Sequence, residues 1–189
     1  MAFWRRTAPA APDLDHMDAL ALAGPCLEID PGMVASGIGS ICYRGTDEPA
    51  FRAVEKDARD LLTQLGLSPR AAELRVDEHG FKWLVVSRGP ALYPSLVTDL
   101  RAASRVFVDN GFGAQLLCAM TVFEGLARTQ AALVYLYKRG TVYPFAPRAE
   151  ETRNNRLELA IKNSIEGFVP VESDLEQWFA LWDAPGMRH

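Results

Sequence analysis

The sequence predicts an α+β protein, a single domain in which an antiparallel sheet carries its helices mainly on one face. Two patterns lead there. Apolar residues recur at helical spacing in four well-separated segments. Between those segments lie short apolar or alternating runs joined by turns too brief for a crossover helix, so neighbouring strands pair antiparallel.

In chain order, residues 1–12 ("MAFWRRTAPAAP") read as a flexible tail ahead of a domain over 13–189. "DLDHMDALALAG" predicts a short helix, capped by Asp13, with Leu14, Met17 and Ala21 on one face and a stop at Gly24-Pro25. "IGSICYRG" from Ile38 reads as a strand. Asp47-Glu48-Pro49 opens the next helix, because Asp caps well and Pro is tolerated in a first turn. Phe51, Val54, Ala58, Leu61, Leu62 and Leu65 fall on one of its faces at helical spacing, and Gly66 ends it. "ELRVDEHGFKWLVVSRG" is a hairpin that turns between Asp77 and Gly80. A third helix covers about 92–110, burying Leu96, Leu100, Ala103 and Phe107. "QLLCAMTVF" is a continuous apolar strand, and "ALVYLYKRGTVYPF" supplies two more. The last helix is expected over about 151–166, with Leu157, Ala160, Ile161, Ser164 and Ile165 on one face. The segment after it carries Trp178, Phe179, Leu181 and Trp182, too many large apolar groups for a free tail, so it should pack back on the domain.

Composition narrows the function classes. The chain is 49% hydrophobic and 23% charged, ordinary values for a soluble globular protein. A formal net charge of −4 disfavours a nucleic-acid partner. No apolar run approaches the roughly 20 residues that span a bilayer, and the start lacks the apolar segment of a secretory signal. A cytoplasmic location is the resulting expectation. Cys26, Cys42 and Cys118 form no Cys-x-x-Cys pair, and Cys42 and Cys118 sit in strand-like runs where cysteine acts as a small core residue. His16, His79 and His189 give no metal-ligand spacing. There is no phosphate-binding Gly-rich loop, dinucleotide fingerprint or nucleophile elbow. No cofactor, metal site or catalytic residue is expected.

The densest chemistry lies in "ALVYLYKRGTVYPFAP", residues 132–147. With a three-residue loop through Gly140, the period of two puts Tyr135, Tyr137, Tyr143 and Phe145 on one aromatic face. Pro144 has no N–H to give a ladder, which marks its strand as an edge. Two readings compete. The aromatics form cross-strand pairs and the turn cations Lys138 and Arg139 only solvate the turn. Alternatively, the hairpin is a recognition edge whose cations meet an acidic partner or lipid head groups and contribute little to the fold.

"FGAQLLC" at Phe112, "LVYLYKRGTVYPFAP" at Leu133, "RNNRLELAI" at Arg153 and "WFALWDAPG" at Trp178, in that order and spacing, resemble the PspA-associated protein B (PspAB) family over about residues 38–186. The resemblance implies a non-enzymatic accessory protein of phage-shock-type envelope stress. The partners it implies are a PspA-like coiled coil or an HtpX-like membrane peptidase. It marks Lys138, Arg139, Gly140, Tyr143, Pro144, Asn155 and Glu158 as partner-binding positions. "MAFWRR" adds the prospect of a transient contact with a membrane surface, since it sets two aromatics beside two arginines. Two other readings stand beside this one. The element order is similar to that of type III secretion chaperones and YbjN-like proteins, which implies a chaperone-like peptide-binding domain. An enzyme of unrecognised type would be built on Arg153, Asn154, Asn155, Arg156 and Glu158, which a solvated helix face also explains.

Overall fold

Strand alternation and short turns build one six-stranded sheet, seen in a computed structural model that describes residues 12–182 and 184–187. The elements are α1 (Leu20–Ile29), β1 (Val34–Arg44), α2 (Pro49–Gln64), β2 (Ala72–Val76), β3 (Phe81–Ser87), α3 (Tyr93–Asp109), β4 (Leu116–Glu124), β5 (Gln130–Leu136), β6 (Thr141–Phe145), β7 (Pro147–Arg148), β8 (Thr152–Arg153) and α4 (Asn155–Ile165). The sheet order is β2-β3-β1-β4-β5-β6, with every neighbouring pair antiparallel. β7 and β8 form a small separate ribbon. The α+β class read from the sequence is the observed one.

The sheet separates two cores. On its front, all four helices contribute to one cluster, with Leu27, Phe51, Leu100, Phe107 and Ile161 packed on Ile41, Tyr43 and Tyr135. On its back there is no α-helix among the described residues. The C-terminal segment lies there instead, and Trp178, Leu181, Trp182 and Ala184 cover Trp83, Met120, Val134, Tyr143 and Phe145. The expected return of the tail is therefore realised. Trp178 is buried, whereas Trp182 is half-buried. Because both faces of β5 are covered, its residues are buried without alternation, which is why it reads as an unbroken apolar run.

Three elements depart from the sequence reading. The first helix does not stop at Gly24-Pro25. A single 3-10 turn at Met17–Ala19 leads into α1, which runs through both residues to Ile29. Gly24 serves packing, because a Cβ there would sit 2.8 Å from the Tyr93 ring. Asp13 accepts from the N–H groups of Asp15 (2.8 Å) and His16 (3.4 Å), so it caps the lead-in turn and not the helix. β1 begins four residues before Ile38. Its pairing with β4 shifts register between Ala35 and Gly39, and Gly37 takes φ +81° where a Cβ would lie 2.0 Å from the Arg88 carbonyl oxygen. Finally, α4 starts at Asn155, not near 151. Asn154 accepts from the Leu157 N–H and caps the helix, and the residues before it are taken by the β7–β8 ribbon.

Candidate functional site

The β5–β6 hairpin is built from its register. Leu136 faces Thr141, which leaves four residues, Tyr137 to Gly140, in the connection. That is one residue more than expected, and one residue turns β6 over. Val142 is therefore the partner of Tyr135, and Tyr143 the partner of Val134. The single aromatic face does not exist. Tyr135 and Tyr137 point into the helix-side core, their rings 5.8 Å apart and T-shaped. Tyr143 and Phe145 point into the back core, where Tyr143 stacks on Trp178 (6.0 Å) and Phe145 meets Trp182 edge-on (5.0 Å).

Each tyrosine hydroxyl of the hairpin finds a partner. Tyr137 shares a 2.5 Å bond with Ser104 Oγ, and Tyr143 donates to the Phe179 carbonyl at 3.1 Å. Burial pushes both phenols well above the ordinary tyrosine pKa. At the turn, Gly140 has φ +64°, and a Cβ there would lie 2.5 Å from Asp13 Oδ2. The Asp13 N–H donates to the Tyr137 carbonyl at 2.7 Å, so the start of the domain closes over the turn.

The turn cations differ from each other. Lys138 is half-buried and has no ion pair among the described residues. Arg139 holds Glu172 by a fork, Nε to Oε2 at 2.5 Å and an Nη to Oε1 at 2.9 Å, and Thr141 Oγ1 donates to the same carboxylate at 2.6 Å. Burial alone would push the Glu172 carboxyl up. The bonds from Arg139, Thr141 and the Asp174 N–H outweigh burial and hold it below the usual value. The expectation that Arg139 stands apart from the fold is corrected here: its partner carboxylate is buried, and an unpaired buried charge is strongly destabilising. The same strand of chain covers the edge of β6, since Val142 donates to the Pro170 carbonyl and accepts from the Glu172 N–H, both at 2.8 Å.

At the far end of β6, Arg153 ties three elements together. Its Nε donates to Glu158 Oε1 (2.9 Å), its other nitrogens reach the carbonyls of Trp178 (2.5 Å) and Pro144 (3.4 Å), and its guanidinium lies 5.3 Å from the Phe145 ring centre. Glu158 also accepts from the Ala146 N–H at 2.9 Å. Within the polar cluster, the Arg153–Glu158 pair is thus an internal staple between β8, α4, β6 and the C-terminal segment, whereas Asn155 and Arg156 are exposed to solvent.

Two further buried carboxylates are paired in the same manner. Glu55 accepts from Lys82 (2.9 Å) and the Tyr43 hydroxyl (3.1 Å), and Asp99 is paired with Arg88. The sequence carried a signal for these: Glu55 falls on the Phe51–Ala58–Leu62 stripe and Asp99 beside Leu96, Leu100 and Ala103. Their cations had no local signal, since Lys82 is 27 positions from Glu55 and Arg88 11 from Asp99. Cys42 and Cys118 sit opposite each other on β1 and β4 as free, buried thiols, and burial pushes Cys42 well above the ordinary thiol pKa. No group of His, Cys, Asp and Glu among the described residues is arranged to hold a metal. A shallow recess of about 220 Å³ opens on the back of the sheet near Glu73, Arg75, Val85 and Gly186.

A family model described as PspA associated protein B matches residues 2–186. The chain belongs to the PspA-associated protein B family. The match begins far ahead of Ile38, so the PspAB pattern includes α1 and the residues before it. Neither the curated proteins nor the solved structures contain a significant match to the chain.

On this PspAB scaffold the seven predicted positions are not one surface. Tyr143, Pro144, Gly140 and Glu158 are buried, Lys138 is half-buried, and Arg139 and Asn155 are exposed. The five residues of β6 separate the turn from the end at Arg153, roughly 15 Å at about 3.3 Å per residue. Lys138 and Arg139 therefore do not meet Asn155 and Glu158.

Proposed function

We propose that this chain is a non-enzymatic accessory protein of a PspA-linked, phage-shock-type envelope stress response, acting in the cytoplasm by binding a protein partner. Membership of the PspA-associated family across residues 2–186 carries the reading. The geometry supports it in one respect: the polar groups that would have formed an active site around Arg153 and Glu158 are spent on internal bonds. No helix among the described residues is long and apolar enough to cross a membrane. Contact with an envelope component then runs through the partner, a PspA-like coiled coil in first place and an HtpX-like membrane peptidase in second. The turn at Lys138 is the end of the hairpin offered to that partner.

Direct binding between the purified chain and a purified PspA-like coiled coil tests this. Saturable binding that Lys138→Glu weakens several-fold, with an unchanged melting temperature, is expected. No binding to the coiled coil or to the peptidase's cytoplasmic portion overturns the reading. Flotation with anionic vesicles, comparing the full chain with one lacking residues 1–12, separates a membrane contact from a protein one.

A further inference from the structure

We propose that the open edge of β2 is a self-association edge, on which a second copy of this chain pairs antiparallel about a two-fold axis at Leu74. This goes beyond the accessory role proposed above and rests on a different strand.

β2 is the last strand of the sheet, bonded to β3 alone, and no described residue pairs with its outer side. Its register with β3 is unbroken from Ala72–Val86 to Val76–Lys82, so it has no bulge, and it contains no Pro or Lys. A bulge, a Pro and a Lys are among the usual guards of an exposed edge and are absent here, which leaves short length and the charges of Glu73 and Arg75 as its guards. Two apolar side chains stand open on it, Leu74 at 37% and Val76 at 66% exposure.

The ladder decides which backbone groups are free. The Asp77 N–H donates to the Phe81 carbonyl at 3.0 Å, the pair that continues the β2–β3 register. Alternation along an antiparallel ladder then turns Glu73 and Arg75 toward β3, and leaves Ala72, Leu74 and Val76 with N–H and C=O directed outward. A copy centred on Leu74 uses those groups: Leu74 bonds Leu74, and Ala72 and Val76 bond each other.

Charge selects the same register. Glu73 and Arg75 lie on the recess face of the strand, ion-paired to each other at 3.0 Å. Two-fold pairing about Leu74 places Glu73 of one copy opposite Arg75 of the other, twice over. These are non-hydrogen-bonded positions, where facing side chains approach most closely. Centring on Glu73 or on Arg75 also matches the free backbone groups but sets like charges face to face. Of the registers the ladder permits, the one centred on Leu74 is therefore the one in which Glu-Leu-Arg is complementary to itself.

Sedimentation equilibrium of the full chain, from micromolar to millimolar concentration, tests it with four proteins: the parent, E73R, R75E and the double variant E73R/R75E. Each single variant sets like charges opposite one another and is expected to weaken association roughly tenfold or more. The double variant restores complementarity with the signs exchanged and recovers it. Mixing E73R with R75E gives a heterodimer tighter than either alone. A parent chain that stays monomeric throughout overturns the proposal and leaves the edge to a strand of another protein. Association that the single variants leave untouched, or that the double variant fails to recover, overturns it equally. These outcomes are read on the isolated chain, so they are independent of binding to any PspA-like partner.

Discussion

The two edges of the sheet are opposites. β6 is the conspicuous one in sequence, aromatic, proline-containing and flanked by cations, yet it is closed. Pro144 offers no N–H, the 170–172 segment bonds Val142 on its outer side, Arg139 clamps that segment through Glu172, and Trp178 seals the back. β2 is plain in sequence and open in structure, with exposed Leu74 and Val76 and unused backbone groups. Large aromatic side chains stand out in a sequence because they carry packing, and packing hides them. A surface left for a partner needs only backbone groups, a little apolar area and a matching pair of charges, none of which looks unusual in a list of residues.

The closed edge gives the largest expected effect. Removing residues 174–189 uncovers Tyr143, Phe145 and Trp83 together and strips Arg153 of the Trp178 carbonyl. Losing one buried Trp already amounts to about 3–5 kcal/mol, so the truncated chain should melt at least ~6 °C lower, at about 2–4 °C per kcal/mol for a chain of this size. A calorimetric scan that superimposes on the parent's removes the segment from the back core.

The turn gives a smaller and pH-dependent effect. Arg139→Ala leaves Glu172 buried without its fork. With the Arg139 side chain 43% exposed, the loss is discounted for solvent to about 1 kcal/mol. Lys138→Ala should change stability by under ~0.5 kcal/mol. The sign with pH follows from Glu172. Its carboxyl titrates lower in the fold than its ordinary value of 4.5, so the pair's contribution is full above that value and is lost as pH falls below it. The gap between the melts of the parent and Arg139→Ala should accordingly be constant near neutrality and shrink below about pH 4.5. A gap that widens in acid contradicts the assignment of Glu172 as the partner.

The open edge gives the smallest effect on folding. Val76→Lys places a charge at a 66%-exposed position and should shift the unfolding free energy by under ~0.5 kcal/mol in a urea titration. A large loss there shows that the outer side of β2 is covered after all, and the contrast between the edges disappears.

Much was determined by the sequence alone. Local physics sufficed for the α+β class, for α2 and α3, for the β2–β3 hairpin, for β6 as an edge and for the return of the Trp-rich tail, since periodicity, turn residues and apolar content act over a few residues. The family was legible too, in the order of the hairpin, helix and tail motifs. Tertiary structure decided the rest, because the deciding contacts join residues far apart in the chain. Gly24-Pro25 stays helical where a stop was expected, and Tyr93 lies against Gly24. One extra residue in the turn after Leu136 splits four aromatics between two cores, a distinction that composition does not carry. Arg139 and Arg153 become parts of the fold only when Glu172 and the Trp178 carbonyl arrive from the C-terminal segment. A buried carboxylate demands a cation, but which cation answers is settled by the folded chain.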